Sequence, residues 1–452
     1  MKNDVHERKV LHAAVWRWHF YAGLYVAPFL MLLAITGLVM LAKEPIERWQ
    51  FGALLTNTSG GSPTLHQARL DAARSAFPNA TIVRYQPGRD SSEVTRVTVT
   101  IDGRPHTVFV DASTGQIRGI VDDGHRIGVV AGLLHGTLLM GPWGDRLIEI
   151  AASLGILLIV SGVYLWFPKR TPFWQAFRMT GGRRLAWRNL HKTTGVVLAP
   201  VLAFYLLSGL VWTDVWGEQF VQAWSTLRAA KAPPGESPSH THETLNAGSS
   251  KVVPWNLEQT PLPPSSSHAG HGRITLDAAI AVAQREGIGQ RFWVGVPSGV
   301  DGIWTIAQTA MNDDITDPTQ ELTVHVDQRT EAVVGRGGWN EYSLMARAVA
   351  AGIPLHTGSL GWWNLLGASV VCLSVIALSL SGLVMWWLRR PARGWQLAAP
   401  PRPDPARVPL VTWAAALVLG VMFPLGGAAI VGVAILDWTV VRRVALIRQL
   451  LN

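Results

Sequence analysis

The chain has 452 residues, 48% of them hydrophobic, a formal net charge of +9 and one cysteine, Cys372. A disulfide within the chain and a thiolate cluster are both excluded. The basic excess suggests nucleic acid until its placement is seen, because it gathers in short loops between long apolar runs and so argues for a membrane.

In chain order, residues 1–42 form an N-terminus and a first span, with the apolar run at Tyr21–Ala42. That run is too long for a signal peptide and lacks a small-residue cleavage site. Residues 43–130 form a small α+β domain: a helix over 64–77, then alternating strands near Thr81–Tyr85, Arg96–Ile101, His106–Asp111 and Gln116–Gly119. Residues 131–168 carry His135 and a second span (Leu147–Phe167), and 169–190 a basic loop. A third span occupies 191–214. The region 215–345 holds a Pro-, Ser- and Gly-rich stretch, 232–272, expected to be a disordered linker. It also holds a second α+β domain, 273–340, with a helix over 275–287 and strands near Arg291–Val296, Ile303–Gln308, Glu321–Asp327 and Ala332–Gly335. Residues 346–388 carry His356 and a fourth span, 389–407 a second basic loop, and 408–438 a fifth run broken by Pro424, Gly426 and Gly427. This run is expected to be one kinked helix, with a re-entrant hairpin as the alternative, before a tail at 439–452. The expected fold is a mainly α-helical membrane protein: duplicated two-span repeats, two small α+β domains and a kinked fifth helix.

The loop between spans two and three contains Lys169, Arg170, Arg178, Arg183, Arg184, Arg188 and Lys192 without an acid, and Arg389, Arg390, Arg393, Arg402 and Arg407 follow span four. The positive-inside bias puts both loops and the N-terminus in the cytoplasm, and both α+β domains outside. Trp16, Trp18, Trp166, Trp212 and Trp387 flank the spans, as interfacial belts do.

Spans one and three agree in register. His19 and His191 are each followed by a Gly at four residues (Gly23, Gly195), a Pro at nine (Pro28, Pro200) and a Gly at eighteen (Gly37, Gly209). Positions i and i+4 share a helix face, so each His sits beside a slot without a side chain, as an axial haem ligand requires. Ionisable residues inside a span are costly enough to mark function. His135 and His356 precede spans two and four on the outer side. A core roughly 30 Å thick separates them from His19 and His191. Two bis-histidine sites result: an inner one at His19 and His191, an outer one at His135 and His356. Small-Gly-aliphatic triplets near the span exits (Thr36-Gly37, Ser161-Gly162, Ser208-Gly209, Ser381-Gly382) suit close helix packing. By depth, Gly162 and Gly382 would line the inner haem, and Gly37 and Gly209 the outer one. No C-x-x-C-H occurs, so any haem, at the two sites expected per chain, would be held non-covalently.

The segments WRWHFYAGL (16–24), WRNLHKTTG (187–195), LLHGTLLMGPWG (133–144) and PLHTGSLG (354–361), with the domain endings VFVDASTGQIRG (108–119) and VHVDQRTEAVVG (324–335), resemble the PepSY-associated transmembrane family of bacterial inner-membrane proteins. The family includes ferric-siderophore reductases and iron-regulated membrane proteins. The resemblance implies two periplasmic PepSY domains, b-type haem and transmembrane electron transfer, with His19, His135, His191 and His356 as ligands. Some relatives carry a fused flavin and nicotinamide reductase module that this chain lacks. Its electrons would come from a cytoplasmic reductase, a flavin or quinol, and its acceptor would be a ferric siderophore or another periplasmic Fe(III) complex. The competing readings are a membrane-anchored PepSY module that binds or inhibits periplasmic peptidases, and an iron or haem permease. The first leaves the four histidines unexplained, and the second lacks an acidic pathway through the spans. Whether the chain forms a homodimer is open at this stage.

Overall fold

The computed structural model describes residues 2–58, 61–167, 183–221, 242–246, 253–254, 257–258, 260–265, 272–390, 396–400, 410–441 and 443–444. Most of the basic loop at 169–190, much of the second one and most of the tail lie outside these residues. In chain order the helices are α1 (Lys2–Leu41), α2 (Lys43–Leu55), α3 (His66–Ala76), α4 (Ile127–Thr137), α5 (Pro142–Trp166), α6 (Arg183–Leu210), α7 (Leu276–Arg285), α8 (Leu344–Thr357), α9 (Trp362–Trp387), α10 (Leu410–Met422) and α11 (Pro424–Leu436). The strands are β1 (Thr81–Gln86), β2 (Thr95–Ile101), β3 (Arg104–Val110), β4 (Ile117–Asp122), β5 (Trp293–Gly295), β6 (Ile303–Gln308), β7 (Leu322–Asp327) and β8 (Val333–Gly338). The chain divides into two compact units. One is Met1–Leu38, Leu134–Val221 and Ser369–Asn452; the other is Val39–Leu133 and Gln222–Ala368.

The first unit is helical. Among the described residues, five helices are long and apolar enough to cross a membrane: Lys9–Leu41, Pro142–Trp166, Leu185–Leu210, Trp362–Trp387 and Pro424–Val441. Inward stripes at helical spacing pack them, as in Val26, Leu30 and Ala34 on α1 and Leu198, Leu202, Leu206 and Leu210 on α6. Lipid tails are as apolar as leucine, so burial alone does not hold such helices together; close packing does. A Cβ on Gly155 of α5 would lie 2.9 Å from Leu206 Cδ1, which shows how near α6 approaches.

The fifth run is not the single kinked helix expected from its length. It is two 13-residue helices, α10 and α11, meeting at Phe423, whose backbone is non-helical. A Cβ on Gly427 would lie 2.7 Å from the Gly420 Cα. Residues seven apart in a continuous helix are separated by about 10 Å along the axis, so the chain folds sharply back. Pro424 supplies no N–H to continue α10, and the two bare glycines let the arms touch.

The second unit is built on one eight-stranded antiparallel sheet in the order β4-β3-β2-β1-β5-β6-β7-β8. The strands of 43–130 and those of 273–340, read from sequence as belonging to separate domains, join where β1 pairs with β5, Arg84 opposite Gly295 and Tyr85 opposite Val294. Period-2 alternation sends Tyr85, Val97, Val99, Val108 and Val110 to the same core as Val294, Trp304, Ile306, Val324 and Val326, with Leu70 of α3 and Ile280 of α7 packed on it. The helices also cap each other. Asp277 accepts the backbone N–H groups of His66 and Gln67 at 2.9 and 2.8 Å, and Gln67 Oε1 accepts from Leu276 N at 2.8 Å. An acid at a helix N-terminus satisfies donors that the helix leaves unpaired and complements its dipole.

The stretch 232–272, expected to be a disordered linker, holds buried residues among those described. His242, Val253, Leu257, Thr260 and Ser265 are buried. Val253 and Leu257 pack with Trp293, Tyr342 and Ala346. The composition is indeed loop-like, but a few apolar anchors spaced through it find a sheet face that needs covering.

Candidate histidine centre in the membrane unit

His19 on α1 and His191 on α6 lie side by side, with ring centres 6.4 Å apart and planes at 83°. Each ring is held from a different helix. His19 Nδ1 lies 2.9 Å from Ser161 Oγ on α5, and His191 Nδ1 lies 3.1 Å from both Ser381 Oγ and Leu378 O on α9. His135, near the C-terminal end of α4, repeats the arrangement, its Nδ1 3.0 Å from Thr36 Oγ1 on α1.

The hydrogen bonds fix the tautomer. A hydroxyl has a single proton to donate. Ser161 Oγ directs it to Leu157 O at 2.7 Å, Thr36 Oγ1 to Leu32 O at 2.8 Å and Ser381 Oγ to Leu378 O at 2.8 Å. Each hydroxyl oxygen therefore accepts from the histidine, so Nδ1 carries the hydrogen. Leu378 O, which can only accept, requires the same of His191. In all three rings the lone pair is left on Nε2. Metal-bound histidines show this pattern, the far nitrogen donating to an outer partner that orients the ring and raises its basicity.

In three of the four triplets the glycine sits beside the imidazole its neighbour holds. A Cβ on Gly162 would lie 3.1 Å from His19 Cε1, one on Gly382 3.3 Å from His191 Cε1, and one on Gly37 3.8 Å from His135 Cε1. A methyl group at the first two positions would push the ring out of place. Gly23 and Gly195 face leucines instead, with Leu158 Cδ2 at 3.7 Å and Leu378 Cδ1 at 3.5 Å. Gly209 lies in the last turn of α6, beside Ser208, whose hydroxyl donates to Phe204 O at 2.7 Å. His356 occupies the last turn of α8, in the other unit, ahead of Gly358 and Gly361, both with positive φ.

The structure thus brings His19, His191, Ser161, Gly162, Ser381 and Gly382 into one layer and His135, Thr36 and Gly37 into another. Sequence reasoning noticed the triplets but gave their hydroxyls no role. The signal was present: each Ser or Thr precedes a Gly placed at the depth of a histidine. The ring spacing suits a shared metal. With metal–imidazole bonds of about 2 Å on opposite sides, ring centres stand roughly 6 Å apart. Among the described residues no group of three or more His, Cys, Asp or Glu is arranged to hold a bare ion. Two histidines suit a metal that arrives with its other ligands attached.

A search of the curated proteins finds no match. The family model of the PepSY-associated TM region matches residues 16–389, and on that extent the chain belongs to this family.

Proposed function

We propose that this protein is a haem b-containing electron-transfer protein of the bacterial inner membrane. It would reduce a periplasmic ferric chelate of the siderophore type, for iron acquisition, with electrons from a cytoplasmic reductase, a flavin or quinol. The observation that carries the reading is the shared tautomer of His19, His191 and His135, each with its Nε2 lone pair left for a metal. In this reading His19 and His191 hold one haem, and His135 is a ligand of the other. When bound, each supplies a one-electron redox centre.

The chain's own residues do the rest. Ser161, Ser381 and Thr36 accept the Nδ1 hydrogens and keep the imidazoles from turning. Gly162 and Gly382 let the rings lie against a neighbouring helix. Val26, Leu30, Leu198 and Leu202 keep the interior dry, which makes every charge change there costly and therefore tunable. The basic loops support a cytoplasmic His19 end. The sheet unit, a duplicated pair of PepSY domains, would lie in the periplasm, where the chelate binds. A hard-oxygen chelate holds Fe(II) less tightly than Fe(III), so one-electron reduction releases the metal.

The test is the spectrum of the purified protein. A Soret band, about two haems per chain extractable by acid-acetone, and reoxidation of the reduced protein by a ferric hydroxamate are expected. A colourless preparation from haem-replete cells would end the reading.

A further inference from the structure

Glu149 lies on α5, inside the span Pro142–Trp166, and none of it is exposed. Its Oε2 accepts the backbone N–H groups of Val215 and Trp216, both at 3.2 Å, from a π-helical turn at Asp214–Val221. Its Oε1 has no hydrogen-bond partner among the described residues. One helical turn on, Ser153 Oγ is buried and equally without a partner. Residues four apart share a face, so two unsatisfied polar groups project from α5 on one side.

The backbone around them is irregular. Trp216 stacks on Phe423, ring centres 5.9 Å apart, and its indole N–H donates to Met422 O at 2.9 Å, where α10 breaks from α11. Non-helical backbone at membrane depth persists where protein buries it or a polar function needs it, and π-turns gather at functional sites. Capping the π-turn explains one carboxylate oxygen. A glutamine would cap it equally well without placing an ionisable group inside a span, which is costly. The second oxygen is what remains unexplained.

Other titratable groups stand near this site without meeting Oε1. Asp145 Oδ2 accepts from Asp214 N at 3.0 Å, Arg146 pairs with Asp214 at 3.4 Å, and the Tyr25 hydroxyl donates to Leu147 O at 3.4 Å. The facing α10 and α11 contain no titratable side chain. Glu149 stands twelve residues from Ser161, about 18 Å along α5. It is therefore far from the His19 layer and toward the end where His135 lies.

We propose that Glu149 is a proton-binding site that loads when an electron reaches the His135 end of the membrane unit and unloads when the electron leaves. The inference rests on the proposed electron-transfer function. A haem held there would take one electron from the donor, lowering the local charge by one. One proton from water adds to Oε1, turning carboxylate into carboxylic acid and restoring the charge. In a dry interior this compensation is worth far more than in water.

The experiment is redox potentiometry of the purified holoprotein across pH, with redox-difference infrared spectroscopy. In the wild type, the reduction equilibrium of one haem should shift up to tenfold per pH unit, about 59 mV for a one-electron couple. A carboxylic acid carbonyl band should appear on reduction. Glu149→Gln, which keeps the cap, should retain haem, flatten the slope and remove the band. Ser153→Ala should leave the slope and shift the band. A pH-independent potential in the wild type, or a slope that survives in Glu149→Gln, would overturn the inference. Should Glu149→Gln not fold, absence of the wild-type band decides against it alone. A protein with two haems and no slope loses only this inference; a protein without haem loses the proposed function and this with it.

Discussion

Among the described residues two histidine pairs stand close, and they are built differently. In the membrane unit, His19 and His191 stand with ring centres 6.4 Å apart, each anchored through Nδ1 to a serine on a second helix. In the sheet unit, His242 and His325 stand 4.9 Å apart, and their Nε2 atoms bond directly at 3.0 Å. His242 Nδ1 donates to Thr260 O at 2.8 Å, leaving its Nε2 to accept from His325, whose Nδ1 in turn accepts from Thr305 Oγ1 at 3.1 Å. The second pair is closed, every nitrogen having a partner. The first is open, its ring centres 6.4 Å apart and joined by no such bond among the described residues. In the proposed function the open pair is the one that takes a ligand, and the closed pair is a fastener.

The largest effect should separate the two pairs outright. His19→Ala and His191→Ala should each abolish the same haem, halving the total and leaving the other haem's spectrum intact. His325→Ala should leave both haems in place, measured by pyridine haemochrome per chain. Loss of haem in His325→Ala alone would invert the assignment of open and closed pairs.

The next largest effect tests the seat beneath the open pair. Gly162→Leu and Gly382→Leu should lower occupancy of the His19/His191 haem severely, because even a Cβ there comes within 3.1 or 3.3 Å of the imidazole. Gly23→Leu and Gly195→Leu meet only leucine side chains at ordinary contact distance and should cost less. Equal haem loss in the four variants would mean that the whole face, not the seat, governs binding.

Much of this was legible in the residues. The spans, the strands and the helices α3 and α7 of the sheet unit follow from period and composition, because lipid and a half-buried sheet each impose a rigid pattern. The matched spacing of His19 with Gly23 and of His191 with Gly195 pointed to one layer, though the glycines that touch the rings are Gly162 and Gly382. Helix partners across a bilayer are set by packing, which a single sequence does not encode locally. The joining of β1 to β5 was hidden for a related reason: edge pairing needs only backbone, and β5 is three residues long. The buried anchors Val253 and Leu257 were lost among Pro and Ser, since burial of so few residues leaves no periodicity.

Removing the hydroxyls should act more gently. Ser161→Ala and Ser381→Ala keep the ligands but free their rings, and outer partners of this type are typically worth 10–100-fold in metal affinity. Haem should remain bound in purified protein yet transfer faster to apomyoglobin, and Ser161→Thr should restore the slow rate. Unchanged transfer rates in both alanine variants would reduce the serines to packing residues.

The smallest effect concerns the closed pair and pH. Burial holds His325 well below the ordinary histidine range, helped by the neighbouring His242, and burial lowers His242 as well. The unfolded chain therefore binds more protons than the folded one below about pH 6.5. The pair's stability is complete above that value and declines as pH falls through it, by up to about 1.4 kcal/mol per pH unit for each histidine. Buried Asp314 and Glu321 act with the opposite sign. Burial raises them to about 7 and about 8, so they favour the fold at lower pH and weaken it as pH rises through 4–8. The wild-type profile mixes both trends, and the informative quantity is the difference from His325→Gln, which cannot protonate. Thermal unfolding of the two proteins between pH 7.5 and 5 should show the wild type losing ground to the variant on the acid side, while their gap above pH 7 stays constant. A constant gap down to pH 5 would mean that the pair is already open to water. The stretch around His242 would then not be fastened to the sheet through this bond.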